Sequence, residues 1–229
     1  MSDDLCVVMS GATGAVGSRA LHHMLADDRH VKRVTSLMRR PSPLGHARLV
    51  SAVVDFRSPA ALGLAVPDDA AVAVCCLGTT MKVAGSKEAF RAVDFDAVVG
   101  FAQAARSHGV RRFILVSSMG AKASSSNFYL RTKGEAEEAV ANLDFETVCV
   151  LRPSILDDEG ARAGARPAEA MSLLVMHGLA KIIGSTHKYA PIGVDTVGRA
   201  IAKLVVTAPS APRVQVYESD AIHRLAGTR

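Results

Sequence analysis

The sequence predicts an α/β protein built on a doubly wound parallel sheet, with a small C-terminal lid region. Three observations predict it. Short β-type apolar runs alternate with longer runs of helical spacing from Leu5 to Leu151, the pattern of βαβ units that close right-handed onto a parallel sheet. Hydrophobic residues make up 49% of the 229-residue chain but aromatics only 4%, so Val, Ala, Leu and Ile must fill the core, as in a sheet covered on both faces. A glycine-rich segment, Gly11–Gly17, separates the first strand-like run from the first helical one.

The elements follow in order. Leu5–Met9 is a strand, and Ala15–Leu25 is a helix with Val16, Ala20, Leu21 and Met24 on one face. Val34–Met38, Leu49–Val54 and Ala70–Leu77 read as strands. Lys87–Ser107 reads as a long helix with Phe90, Val93, Ala97, Val98, Phe101 and Ala105 on one stripe. Arg112–Val116 is a strand, Phe128–Leu143 a helix, and Thr147–Leu151 a strand. Beyond it the polar segment Asp157–Arg166 reads as a loop, and Pro167 starts a helix to Ile183 at the position where proline is tolerated. Asp195 is the expected N-cap of a helix ending at Val206, and Arg213–Tyr217 the last strand. With no repeat or independent linker, residues 1–229 read as one nucleotide-binding domain with residues 154–188 as a substrate-lid insertion. Met171, Leu174, Met176 and His177 in that insertion suit a pocket lining and a core face equally.

Composition excludes several classes of function. Cys6, Cys75, Cys76 and Cys149 lie inside apolar runs and match no zinc spacing, and the eight histidines form no paired-ligand motif, so no metal site is expected. The net charge of +5 is dispersed along the chain, which argues against nucleic acid as a partner. No apolar run reaches the roughly 18 residues of a membrane span. The start of the sequence lacks the basic and apolar regions of a secretory signal, which gives a cytoplasmic expectation.

Gly11, Gly14 and Gly17 form a GxxGxxG turn between strand and helix. Such a turn lets backbone approach a pyrophosphate and aims helix-terminal N–H groups at it. Gly11, Thr13, Gly14, Ala15, Val16 and Gly17 are therefore candidate ligands of a dinucleotide in a Rossmann-type site. The second strand ends in Arg39-Arg40, with none of the acidic residues that read a ribose 2′-hydroxyl in NAD sites. Guanidinium groups there suit a 2′-phosphate, so NADP(H) is the expected cofactor, with Arg39 the main ligand and Arg40 assisting. Asp55 and Phe56 after the third strand are expected near adenine. Leu77, Gly78 and Thr79 after the fourth are expected near the pyrophosphate or nicotinamide ribose.

Tyr129 and Lys133 are four residues apart on one helix face. A phenol titrates at about 10 and becomes a useful acid–base group when an ammonium favours its phenolate. The same lysine can hold the nicotinamide ribose. Ser117-Ser118 ends the preceding strand, where a hydroxyl can donate to a substrate oxygen beside the phenol.

The glycine turn, the serine and Tyr-x-x-x-Lys, in that order from Leu5 to Pro153, resemble the short-chain dehydrogenase/reductase superfamily. Cys75–Thr80, Val116–Ala121, Ser125–Leu130, Lys133-Gly134-Glu135 and Leu151-Arg152-Pro153 are similar to its atypical branch containing the Tat-interacting oxidoreductase. The resemblance implies an NADPH-dependent oxidoreductase acting on a carbonyl or alcohol. Tyr129 would be the proton donor, Lys133 and Ser118 its catalytic companions, and Ser118 is favoured over Ser117 because the second serine of such a pair usually faces substrate. The branch's regulatory associations add a protein partner and, as the alternative, an NADP(H)-binding regulatory or assembly factor with little turnover. The sequence departs from the superfamily in the short interval between Ser118 and Tyr129, in Leu77–Thr80 where many members carry Asn-Ala-Gly, and in Asp94 and Asp96 near a common relay asparagine.

Overall fold

The computed structural model describes residues 4–41, 44–157, 189–207 and 212–227. Strands β1 (Leu5–Ser10), β2 (Val31–Met38), β3 (Leu49–Val53), β4 (Val72–Cys75), β5 (Arg112–Val116), β6 (Thr147–Arg152) and β9 (Val214–Glu218) form one seven-stranded sheet in the order β3-β2-β1-β4-β5-β6-β9. Every pairing in it is parallel. A two-stranded parallel pair, β7 (Leu156–Asp157) and β8 (Ile192–Gly193), stands apart from it. The expected doubly wound parallel sheet is the fold.

Alternate residues of each inner strand feed two cores, as the strand period requires. Val7 and Met9, Val72 and Val74, Ile114 and Val116 face helices α1 (Ala15–Ala26), α7 (Val194–Val206) and α8 (Ser219–Ala226). Val8, Ala73, Cys75, Phe113 and Leu115 face α2 (Pro59–Ala65), α5 (Ala97–Ser107) and α6 (Phe128–Ala141). Cys75 and Cys76 point to opposite faces, as adjacent strand-end residues do. The second core is pinned by Phe113, whose ring centroid lies 5.0 Å from that of Phe145 and 5.8 Å from that of Phe101.

The long helix expected over Lys87–Ser107 is helical throughout but not uniform. It opens as α4 (Lys87–Arg91), loosens into a π-helical segment at Ala92–Asp96 and continues as α5. A π segment inserts an extra residue per turn and re-aims the side chains around it, and such segments are frequent at functional sites. The short helices α2 and α3 (Met81–Ala84) and the terminal α8 lie in stretches where too few apolar repeats exist to display a period. Helix α7 starts two residues earlier than expected. Gly193 is its N-cap, and Asp195 sits in the first turn, where its Oδ1 lies 2.8 Å from His23 Nε2 on α1 and its Oδ2 3.2 Å from Arg199 Nε. An acid there still complements the helix dipole, and the cross-helix contact takes the side chain away from the cap.

Arg48 ties the first unit together: Nη1 donates to the carbonyls of Asp27, at 2.9 Å, and Val31, and Nη2 donates to that of Leu25. One orphan carbonyl at the end of α1, that of Leu25, is thus satisfied from a residue beyond β2. The expected helix Pro167–Ile183, and nearly all of the lid insertion at 154–188, lie outside the described residues.

Candidate active site

Parallel strands deliver their C-terminal ends to one edge, and there a cleft of about 740 Å³ opens. Its walls are the turn after β1 (Gly11, Thr13, Gly14), the end of β2 up to Arg39, the Val53–Arg57 segment, the Cys76–Gly78 strand end, and Ala92 and Val93 of the π segment.

The turn is dictated by close approach. Gly11 has φ +81°, and a Cβ on it would lie 2.4 Å from the Cys76 carbonyl carbon. A Cβ on Gly17 would lie 2.0 Å from the Gly11 oxygen. These two glycines serve packing of turn, helix and sheet. Gly14 differs: a Cβ there would meet nothing nearer than the Gly11 oxygen at 3.4 Å, and Gly14 faces the cleft as the N-cap of α1. No side chain caps α1 and no acid lies in its first turn, so the helix presents its amides and positive end to the cleft. Of the other expected contacts in this turn, Ala15 is exposed on the first turn of α1 and Val16 is buried in the core, so neither forms part of the cleft wall.

Arg39 stands exposed on the wall at the end of β2, whereas Arg40 is exposed outside it. Asp55 and Phe56 both line the cleft. Asp55 accepts from Arg57 Nε and Nη2, each at 3.0 Å, and that guanidinium holds its carboxyl below the usual range. Arg57, absent from the sequence-based site, thus adds a second cation to this rim. Leu77 and Gly78 line the wall; Thr79 does not, and its N–H is spent on Asp94 Oδ2 at 2.9 Å.

Helix α6 begins with Asn127, whose Oδ1 accepts from the Leu130 amide at 3.2 Å. The chain from Ser118 to Tyr129 is short because it lies directly on this helix. A Cβ on Gly134 would fall 2.3 Å from the Ala123 nitrogen, so only glycine admits the loop. Tyr129 is half-buried, its ring 5.4 Å from that of the buried Phe90 and tilted by 46°. Ser118 is half-buried and its hydroxyl makes a long 3.4 Å bond to the Met119 carbonyl. Ser117 is buried, and its Oγ has no partner among the described residues.

Lys133 is buried, and its ammonium donates to Asp94 Oδ1 at 3.1 Å and to the Val116 carbonyl at 3.5 Å. The side chains of Asp94 and Lys133 are 1% and 6% exposed, so this is an interior ion pair. Burial pushes the Asp94 carboxyl up, against the opposing pull of Lys133 and of the Thr79 amide. The sequence does carry a signal for Asp94 as a site residue: an acid four residues after Phe90 falls on the apolar stripe of a helix, where an acid needs a buried partner. Phe90, which backs Tyr129, carries no such signal, because a core phenylalanine on that stripe is the ordinary case.

The comparisons agree with this geometry. A family model described as NAD(P)H-binding matches residues 11–173. The mitochondrial protein fmp52 of Aspergillus niger is 36% identical over 210 residues, covering 88% of this chain and 86% of that protein. Protein HTATIP2 of Rattus norvegicus is 33% identical over 227 residues, covering 96% and 88%. Among solved structures, a short-chain dehydrogenase/reductase superfamily protein from Agrobacterium tumefaciens with bound NAD has a TM-score of 0.68 at 16% identity, covering 93% of this chain and 77% of that one. One expectation is corrected. Fmp52 relatives from several fungi are named mitochondrial, which overturns the cytoplasmic reading. The features sought at the start of the sequence were those of a secretory signal, and they do not test for a mitochondrial address. Among the described residues no helix is long and apolar enough to cross a membrane. With the glycine turn, the sheet order and the relatives in agreement, the chain belongs to the NAD(P)H-binding family and is a relative of the fungal fmp52 proteins and of HTATIP2, with a fold like that of short-chain dehydrogenases/reductases.

Proposed function

We propose that the chain is an NADP(H)-dependent oxidoreductase acting on a small carbonyl or alcohol substrate. The observation that carries the cofactor choice is Arg39, exposed on the cleft wall at the end of β2, with no acid at that strand end and Asp55 across the rim occupied by Arg57. The open Gly14 and the uncapped α1 amides fit a pyrophosphate, and Arg39 fits a 2′-phosphate. The nicotinamide, when bound, supplies or accepts the hydride. The chain's own residues do the rest: Lys133 holds the nicotinamide ribose, Ser118 donates to the substrate oxygen, and Tyr129 gives that oxygen its proton, or takes it in the reverse direction.

The sequence contains no tryptophan, so NADPH fluorescence titrates without interference from indole emission. Arg39→Ala is expected to weaken NADPH by about tenfold or more while leaving NADH nearly unchanged, because only NADPH carries the phosphate that the guanidinium would bind. An unchanged NADPH/NADH preference refutes the role of Arg39. Tyr129→Phe is expected to keep NADPH binding and lose turnover; full turnover removes Tyr129 from the chemistry. A second reading, nucleotide binding with little turnover in a regulatory or assembly role, is favoured by the engagement of the Lys133 ammonium by Asp94. Tight NADPH binding with no NADPH oxidation across a broad carbonyl panel decides for it.

A further inference from the structure

Resting on the NADP(H) reading above, we propose that Asp94 is a positioning residue that sets the charge balance at the nicotinamide end of the cleft. It clamps the Lys133 ammonium and cancels a charge that would otherwise weaken binding of the oxidised, cationic form of the cofactor relative to the reduced one.

Both carboxylate oxygens of Asp94 are committed, Oδ1 to Lys133 Nζ at 3.1 Å and Oδ2 to the Thr79 amide at 2.9 Å. The residue therefore ties three elements together: the π segment that carries it, α6, and the strand end after β4. An ammonium has three donors. Asp94 takes one and the Val116 carbonyl, at 3.5 Å, a second, which leaves one for a ligand hydroxyl.

The pair stands immediately behind the cleft wall. Gly78 lines the cleft, and a Cβ on it would lie 3.4 Å from Asp94 Oδ1 and 3.8 Å from Lys133 Nζ. The two fixed charges thus lie in contact distance of a side chain that glycine leaves out at this point of the wall. The thiols of buried Cys75 and half-buried Cys76, which feel the pair, are pushed up by desolvation and stay uncharged near neutrality. With both partners ionised, the charges behind this wall cancel. Without the carboxylate, a desolvated ammonium would remain and repel a pyridinium ring while leaving a dihydropyridine almost unaffected. Charges in a dry wall act strongly across short distances, so the carboxylate discriminates between the two redox forms even though it reaches neither directly.

The test is calorimetric titration of the full chain with NADP⁺ and with NADPH, for wild type, Asp94→Asn and Asp94→Glu. In Asp94→Asn, NADP⁺ should weaken about tenfold more than NADPH. In Asp94→Glu, which keeps the charge on a longer arm, both ligands should weaken with their ratio within about threefold of wild type. Equal weakening of both ligands in Asp94→Asn overturns the charge role and leaves the cofactor reading standing. Wild type that binds neither nucleotide overturns both. Carboxyl-labelled aspartate NMR of the wild type provides a check that needs no variant. It should show Asp94 ionised near neutral pH with and without NADP⁺, and a protonated Asp94 overturns the proposal.

Discussion

Lys133→Met separates an interior ion pair from one buried for its geometry alone. The substitution keeps most of the apolar stem and deletes the ammonium, leaving a 1%-exposed carboxylate with only the Thr79 amide. Breaking one side of a buried pair costs about 3–5 kcal/mol, whereas replacing both sides with apolar groups of similar size is close to neutral. For a chain of this length that cost corresponds to about 6–20 °C in Tm. Burial already raises the Asp94 carboxyl, and Lys133 opposes that rise, so removing the lysine raises it further. An acid whose folded pKa is raised is least costly below its unfolded value, and stability is lost as pH climbs through the folded one. The penalty in Lys133→Met should therefore be largest at about pH 7.5 and shrink towards about pH 5. Urea unfolding followed by far-UV circular dichroism measures it, and Asp94→Leu/Lys133→Met should return to within about 1–2 kcal/mol of wild type. A single-variant cost below about 1 kcal/mol, independent of pH, would place the pair in water and refute its desolvation.

Three further substitutions have outcomes set by the fold. Gly17→Ala drives a Cβ to 2.0 Å from the Gly11 oxygen, so the phosphate turn must shift; a destabilisation of about 2–3 kcal/mol in urea unfolding and failure to bind NADPH are expected. Arg48→Met strips hydrogen bonds from the Leu25, Asp27 and Val31 carbonyls and should cost about 2 kcal/mol, read by the same unfolding assay. Burial pushes Asp195 up, but the His23 hydrogen bond and nearby cations outweigh it and hold its carboxyl low. That contribution is present above its unfolded pKa of about 3.9 and is lost as pH falls through the folded value, so Asp195→Asn should lose less stability on acidification than wild type, by at most about 1 kcal/mol for so exposed a group.

What was legible in the sequence was whatever repeats with a period or punctuates with glycine. The inner strands read as apolar runs because both of their faces are buried, the edge strand β3 reads as one although its Val50 and Val53 are exposed, and Gly11 and Gly17 read as a turn because nothing larger fits. Asp55 was placed at the cleft from position alone, since parallel strands must deposit their successor residues at one edge, and Arg39 from the guanidinium pair that ends β2 with no acid nearby. Three kinds of feature were not legible. Helix α2 has seven residues and one fully buried side chain, Leu62, too few to show a period. Arg48 caps α1 from the far side of β2, a partnership that no local pattern encodes. The π segment preserves helical composition while changing register, so its consequence, Asp94 turned onto Lys133, emerges only in three dimensions. Nor did the pattern separate Val16, which is buried in the core, from Gly14, which faces the cleft.

These differences divide the site into two parts with different tolerance. The part that we propose faces the phosphates is mostly backbone, a turn fixed by glycine contacts and the uncapped amides of α1, with one exposed arginine side chain, Arg39. The geometry of the turn itself follows from strand order and from the close contacts of Gly11 and Gly17. The part that we propose faces the nicotinamide is made of side chains from α6 and the π segment, held by one buried ion pair and by Phe90 against Tyr129. It depends on a helical irregularity that the sheet does not require. Substitutions in α6 should therefore alter turnover and redox-form preference while sparing affinity for the adenine and phosphate moieties. A fragment such as 2′-phospho-ADP-ribose, which lacks the nicotinamide, should bind wild type, Tyr129→Phe and Asp94→Asn alike. Unequal binding of that fragment would mean that the two ends of the cleft are mechanically coupled, and the two-part division would fail.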